Sequence, residues 1–163
     1  GQSVLDVGIG NGALVNMLKK SNNFDKVVGI DIKHNAFLEL LDEIDFRTMN
    51  VLDLKFQDNE FDTVVCMEVL EHLEIKDFYT GLSELRRVAK NQLVLTVPFR
   101  EKEPVWWHDK PGGHRQSFSL RKLNTIFPFG KAHLIDRPGG VHWIMILEDR
   151  KALDYYQGFS LLE

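Results

Sequence analysis

Cysteine is almost missing from this chain. Cys66 is the one thiol in 163 residues, so no internal disulfide can form, and a reducing, cytoplasmic setting is expected. Also missing is any apolar run near the roughly 18 residues that a membrane span requires, and the chain opens without the pattern of a signal peptide. There is no internal repeat, no low-complexity segment and no run rich in lysine and arginine. With a pI of about 5.9, these absences weigh against a repeat architecture and against nucleic-acid binding. What is present is ordinary globular composition, 44% apolar and 27% charged, in a length that suits one domain, residues 1–163.

The net charge of −4 hides a split. Residues 1–84 carry 7 Lys/Arg against 16 Asp/Glu, residues 85–137 carry 11 against 4, and residues 138–163 carry 2 against 4. Such segregation fits two ligands of different electrostatic character, or simply a polarised surface.

The pattern along the chain alternates. Ser3 to Val7 reads as a buried strand that runs into the cluster Gly8-Ile9-Gly10-Asn11-Gly12, and Ala13, Leu14, Met17 and Leu18 follow at helical spacing. Lys26 to Asp31 reads as a second strand, Asn35 to Leu41 as a helix, and Phe46 to Val51 as a weak third strand. Phe61 to Cys66 is a strong strand, Gly81 to Ala89 a helix, and Gln92 to Val97 a strand stopped by Pro98. Strands alternating with helices predict an α/β, doubly wound, parallel sheet covered on both faces. From Phe99 to Phe118 the period is lost, and an aperiodic stretch that holds Trp106-Trp107 reads as a functional loop. Ser119 to Phe127 then reads as a helix capped by its serine, and Ala132 to Ile135 and His142 to Leu147 as two closing strands.

The glycines sit where the first strand ends and the first helix begins. Glycine there permits positive φ and lets a ligand approach the backbone, and a helix start offers unpaired N–H groups. Gly8, Gly10 and Ala13 also satisfy the dinucleotide pattern G-x-G-x-x-G/A, so this turn alone does not choose between nucleotide cofactors. Asp31, 21 residues after Gly10, is placed to accept from ribose hydroxyls in either case.

The surrounding residues separate the classes. Asp6-Val7-Gly8-Ile9-Gly10-Asn11-Gly12, the stretch Asn50 to Asp62, and Val64-Val65-Cys66-Met67-Glu68-Val69-Leu70-Glu71-His72-Leu73 together resemble the class I S-adenosylmethionine-dependent methyltransferases, in particular the small-molecule group similar to ubiquinone-type enzymes. The resemblance runs from Ser3 to about Phe127. It implies a Rossmann-like, mostly parallel sheet of seven strands with an antiparallel last strand, and S-adenosyl-L-methionine as cofactor. The turn formed by Gly8, Gly10, Asn11 and Gly12 would hold the methionine part, anchored by Asp6, and Asp31, followed by Ile32, would bind the ribose. Asn50 stands where the family usually has an acid for the adenine amino group; its side-chain carbonyl can still accept. Val51 would add a backbone contact to the ring, and Cys66, Met67 and Glu68 would lie beside the methionine chain. The family usually has one or two helices ahead of the first strand, which here begins at Ser3, so the expectation is a core without those cap helices.

In open α/β sheets ligands bind beyond the carboxyl ends of the strands, which makes the loop after the fifth strand the expected acceptor wall. Trp106, Trp107 and Arg115 are the candidate substrate contacts. Gly113-His114-Arg115-Gln116-Ser117-Phe118 resembles the family's G-H-x-R-x-F stretch, with one residue fewer between histidine and arginine. If the acceptor is a hydroxyl or a protonated amine a base is needed, and His108, His114 and His72 are the candidates, with His142 a poor fourth. Glu71-His72 reads equally as a solvated helix start, and Cys66 as a small core residue. His108, Asp109 and His114 lack a further ligand at suitable spacing, so no metal is expected. The expected reaction is methyl transfer to an oxygen or nitrogen of a small metabolite, anionic because the basic stretch falls on this wall. An RNA- or tRNA-modifying enzyme and a non-catalytic methyltransferase-fold subunit with a partner chain or in an oligomer are the alternatives. An NAD-dependent oxidoreductase is disfavoured, since no hydride-acceptor domain or catalytic dyad follows the cofactor unit.

Overall fold

Central strands of a parallel sheet must be apolar on both faces, and Val4, Leu5, Val7 and the run from Val27 to Ile30 meet that demand. The computed structural model describes residues 1–36, 38–99, 113–137 and 141–159. Its strands are β1 (Ser3–Val7), β2 (Lys26–Asp31), β3 (Asp45–Thr48), β4 (Phe61–Met67), β5 (Ala89–Phe99), β6 (Lys131–Arg137) and β7 (Val141–Asp149). Its helices are α1 (Ala13–Lys20), α2 (Ile75–Val88), α3 (Leu120–Ile126) and α4 (Arg150–Phe159). One seven-stranded sheet takes the order β3-β2-β1-β4-β5-β7-β6. Only β7 runs against its neighbours β5 and β6, which is the antiparallel last strand that the resemblance implied. The order reverses between β1 and β4, and the carboxyl ends of those strands open the crevice where such sheets bind ligands.

Alternate residues of each strand feed two cores. Leu5, Val28, Val64 and Leu95 point to the larger one, packed by Phe78, Leu82, Leu85 and Val88 of α2. Val4, Val27 and Val65 point to the smaller one with Val15 of α1. Ser119 caps α3 as expected, its side chain accepting from Lys122 N at 3.3 Å.

Three expectations are corrected. Residues 35–41 form no helix among the described residues. Asn16 on α1 holds this segment by its backbone instead, donating to Glu39 O at 2.7 Å and accepting from Leu41 N at 3.0 Å, while Leu38 and Leu40 pack on the smaller core. Pro98 does not stop the fifth strand, which runs on to Phe99 with Pro98 opposite Trp143. Pairing with β4 ends at Thr96, so beyond it β5 has a neighbour on one side only and tolerates a residue without an N–H. The helix before it starts at Ile75, six residues ahead of the expected Gly81, which lies buried inside α2.

α4 was not foreseen, because Ala152, Leu153 and Tyr156 are too few to make a clear period. It packs its buried Ala152 and Leu153 inward and donates from Gln157 Nε2 to Arg86 O at 2.9 Å. Beside it, Arg86 meets the fully buried Glu148 of β7 through two bonds of 2.7 and 2.6 Å, and its guanidinium stacks 3.5 Å from the ring centre of Tyr156. Removing one partner would strand a charge in a dry setting. Glu148→Ala is expected to destabilise the protein by about 3–5 kcal/mol, read as a lower midpoint in urea unfolding.

Candidate functional site

The turn after β1 is shaped by a close approach. Gly8 lies at φ 80°, and a Cβ there would fall 2.3 Å from Cγ2 of Val69, which follows β4. Gly8 N and Ile9 N both donate to Ile30 O, at 2.8 and 3.1 Å, which ties the turn to β2. Gly10, at φ 56°, has no described residue within 4 Å of where its Cβ would be, so among the described residues the front of the turn is open at that point. Its N–H donates to Asp31 Oδ2 at 3.0 Å, and Asp31 Oδ1 accepts from Lys33 N at 3.4 Å. Asn11 Oδ1 accepts from Ala13 N at 3.2 Å, and Gly12 caps α1 at φ 86°, where a Cβ would fall 3.0 Å from Glu39 O.

Carboxylates gather behind this turn. Asp6 is 2% exposed, and its Oδ2 has no hydrogen-bond partner among the described residues. Burial, and after it the charge of Asp31, pushes the Asp6 carboxyl up to about 7. Cys66, fully buried at the end of β4, has its thiol pushed well above the ordinary value, first by burial and then by the carboxylates of Glu71, Asp6 and Glu68. A thiol held protonated in this way is no nucleophile. Glu68 stands at φ 58°, a left-handed conformation that costs about 1–3 kcal/mol for a residue with a side chain, and accepts from Thr96 Oγ1 at 2.5 Å. Met67 is half-buried before it.

The remaining cofactor candidates flank this group. Ile32 leaves two-thirds of its side chain in solvent beside Asp31. Asn50 uses Oδ1 to accept from Leu52 N at 3.0 Å, so one of its two lone pairs already closes a turn, and Val51 is buried.

On the expected acceptor side, the described part of the long loop folds back onto a short 3-10 turn, Leu70–His72. Glu71 O accepts from Arg115 N at 2.7 Å and from Gln116 N at 3.0 Å. Gln116, itself buried, donates from Nε2 to Leu73 O at 3.1 Å and accepts from Lys122 Nζ at 3.0 Å. His72 Nδ1 lies 3.3 Å from Gly113 O, and the rings of His72 and His114 meet edge to face with centres 5.0 Å apart. Two of the three candidate bases are thus neighbours. Trp106, Trp107 and His108 lie outside the described residues. Arg115 is exposed and faces Glu74 at 3.8 Å, a weak surface pair. His142 pairs with Asp136 across β6 and β7 at 2.7 Å. Glu71 is the residue that sequence reasoning undervalued: it is 0% exposed, not solvated. Residues 115 and 116 return to bond its backbone carbonyl, which no local pattern announces.

The basic stretch is redistributed by the fold. Arg86 is bound to Glu148, Arg87 to Glu84 and Asp58, and Lys131 to Asp149, all near the amino ends of the parallel strands. A cavity of about 660 Å³ at that end is lined by Arg86, Arg87 and Arg150 and by none of the candidate cofactor or acceptor residues.

The sequence matches a family model described as a methyltransferase domain over residues 5–96. Among curated proteins it is 36% identical over 102 residues to an uncharacterized protein of Methanocaldococcus jannaschii, covering 63% of this chain and 42% of that one. It is 40% identical over 82 residues to the ubiquinone biosynthesis O-methyltransferase of Dechloromonas aromatica, covering 45% of this chain and 34% of that one. The match thus spans less than half the length of either relative. Among solved structures, a putative methyltransferase of Bacillus halodurans superposes with a TM-score of 0.68 at 16% identity over 92% of this chain and 93% of its own. Magnesium protoporphyrin IX methyltransferase of Synechocystis, solved with bound S-adenosylhomocysteine, superposes with a TM-score of 0.68 at 19% identity, covering 92% and 74%. With the family model covering more than half of its length and the sheet in the matching order, this chain belongs to the methyltransferase domain family and has the class I S-adenosylmethionine-dependent methyltransferase fold.

Proposed function

We propose that this chain binds S-adenosylmethionine at the carboxyl ends of β1, β2 and β4 and transfers its methyl group to an oxygen or nitrogen of a small metabolite. The observation that carries this reading is the open backbone at Gly10, bonded to Asp31 and backed by the buried Asp6. The cofactor has a ribose, an ammonium and a sulfonium. Asp31 supplies an acceptor for the ribose hydroxyls, the turn supplies room for the methionine part, and Asp6 and Glu68 supply negative charge for the two cationic groups. Asn50 and Val51 border the adenine side, with Ile32 as an apolar surface for the ring. The cofactor brings an activated methyl group, so the chain's own task is to align the acceptor and exclude water.

The acceptor side is supported by the packing of residues 113–116 on the Leu70–His72 turn. His72 and His114 are the described groups placed to handle an acceptor proton, and Arg115, which faces an exposed carboxylate at 3.8 Å, can exchange that partner for an anionic group on the metabolite. The ubiquinone relative, an O-methyltransferase by name, agrees with oxygen as the receiving atom.

Three outcomes test this reading. Incubation of the chain with S-adenosylmethionine and pooled small metabolites is expected to give, by mass spectrometry, a product heavier by one methyl group; absence of adenosylhomocysteine binding by calorimetry would refute it. Asp31→Ala is expected to weaken adenosylhomocysteine about 10- to 100-fold, the worth of a charged hydrogen bond. The third outcome concerns Asp6. Its folded value of about 7 lies above the ordinary 3.8, so between those values the folded state holds a proton that the unfolded state has released, and stability falls as pH rises through that window. Asp6→Asn removes this term. The difference in urea-unfolding stability between the variant and the natural chain is expected to grow in favour of the variant from pH 5 to pH 8, by on the order of 2–4 kcal/mol.

A further inference from the structure

Glu71 has no part in the reading above. A fully buried carboxylate stands next to two imidazoles that come from different segments of the chain. One ligand atom from each of Glu71, His72 and His114 lies within 4.8 Å of the others. Oxygen and nitrogen atoms bound to one ion at about 2.0–2.2 Å can stand up to about 4.4 Å apart, so small side-chain rotations bring all three onto one centre.

The cluster is held from behind. The two N–H groups of Arg115 and Gln116 on Glu71 O keep His114 against the 3-10 turn, and Gly113 O at Nδ1 of His72 favours the tautomer that presents a lone pair at Nε2. A backbone carbonyl on the second ring nitrogen is the usual outer support of a metal-bound histidine. Val69, two residues before Glu71, touches the glycine turn, so the cluster adjoins the front of the cofactor crevice.

We propose that Glu71, His72 and His114 bind a divalent first-row transition-metal ion at the acceptor side of the crevice. Two imidazoles and one carboxylate suit zinc, cobalt, iron or manganese, whereas magnesium and calcium take oxygen ligands. Three protein ligands leave a position open, as in catalytic rather than structural sites. That position takes the acceptor's hydroxyl oxygen, which makes the acceptor an oxygen nucleophile; this use of the ion rests on the methyl-transfer reading above, whereas binding of the ion does not. On coordination the hydroxyl proton passes to solvent, and the two imidazoles then act through the ion instead of taking that proton themselves. The oxygen then bonds to the methyl carbon, the carbon–sulfur bond breaks with its electron pair going to sulfur, and the ion is neither oxidised nor reduced.

The test uses the untagged full chain, stripped with a chelator and titrated with cobalt(II) while the visible ligand-field absorption is recorded, and with zinc(II) by calorimetry. One ion per chain is expected, with affinity weakened at least 10-fold in Glu71→Gln and in His114→Ala. Since Glu71 is buried and its variant can lose the fold, His114→Ala carries the decision, with adenosylhomocysteine binding measured on the same sample. No stoichiometric ion on the natural chain, or equal affinity in a His114→Ala variant that still binds adenosylhomocysteine, overturns the metal site and leaves the methyl-transfer reading standing. An ion bound by a natural chain that does not bind adenosylhomocysteine supports the metal site and overturns that reading.

Discussion

The contact between Val69 and Gly8 is the constraint on which the arrangement of this site depends. The valine methyl group fills the space that any other side chain at position 8 would need, 2.3 Å from where a Cβ would stand. It brings the chain leaving β4 against the chain leaving β1, at the point where the strand order reverses. Glu68 comes before that contact, held at positive φ, and Glu71 and His72 come just after it. One close packing therefore sets the distance between the glycine turn and the groups on the far side of the crevice.

The electrostatics follow from that packing. Asp6 and Cys66 are buried by neighbouring strands, and Asp31, Glu68 and Glu71 are close enough to act on one or the other of them. Negative charge collected at low exposure is unfavourable until a cation arrives. The strain at Glu68 and the raised Asp6 carboxyl are local costs at the crevice, offset elsewhere by two well-packed cores and by the Arg86–Glu148 pair at the other end of the sheet.

Much of the fold was legible because the central strands are apolar on both faces and the glycine turn has few structural uses. The misreadings have one kind of cause, a local pattern overruled by a distant partner. Residues 35–41 have helical spacing, yet the side chain of Asn16 takes their backbone groups. Pro98 ordinarily ends a strand, yet β4 stops short and leaves a side of β5 unpaired. Part of the basic middle of the sequence lies away from the expected acceptor wall, since Arg86, Arg87 and Lys131 are held in ion pairs near the amino ends of the strands, whereas Arg100, Lys102 and Lys110 of that wall lie outside the described residues. Among the site residues, Gly10 and Asp31 could be paired from their spacing, since a strand, a turn and a helix between them leave little freedom. Glu71 could not be assigned, since Glu71-His72 looks alike on a solvated turn and in a buried cluster.

By itself the sequence determined the sheet, the turn, the acid at the end of β2 and the family, all of which depend on periods and spacings within short stretches of chain. Only the tertiary structure decided which charges oppose each other and which carboxylates are dry. It also decided that His114 stands beside His72, because two backbone N–H groups at 115 and 116 bond to the carbonyl of Glu71. Hydrogen bonds of that kind involve no particular side chain. They leave no mark in the order of the amino acids, and they place the residues of the proposed acceptor side.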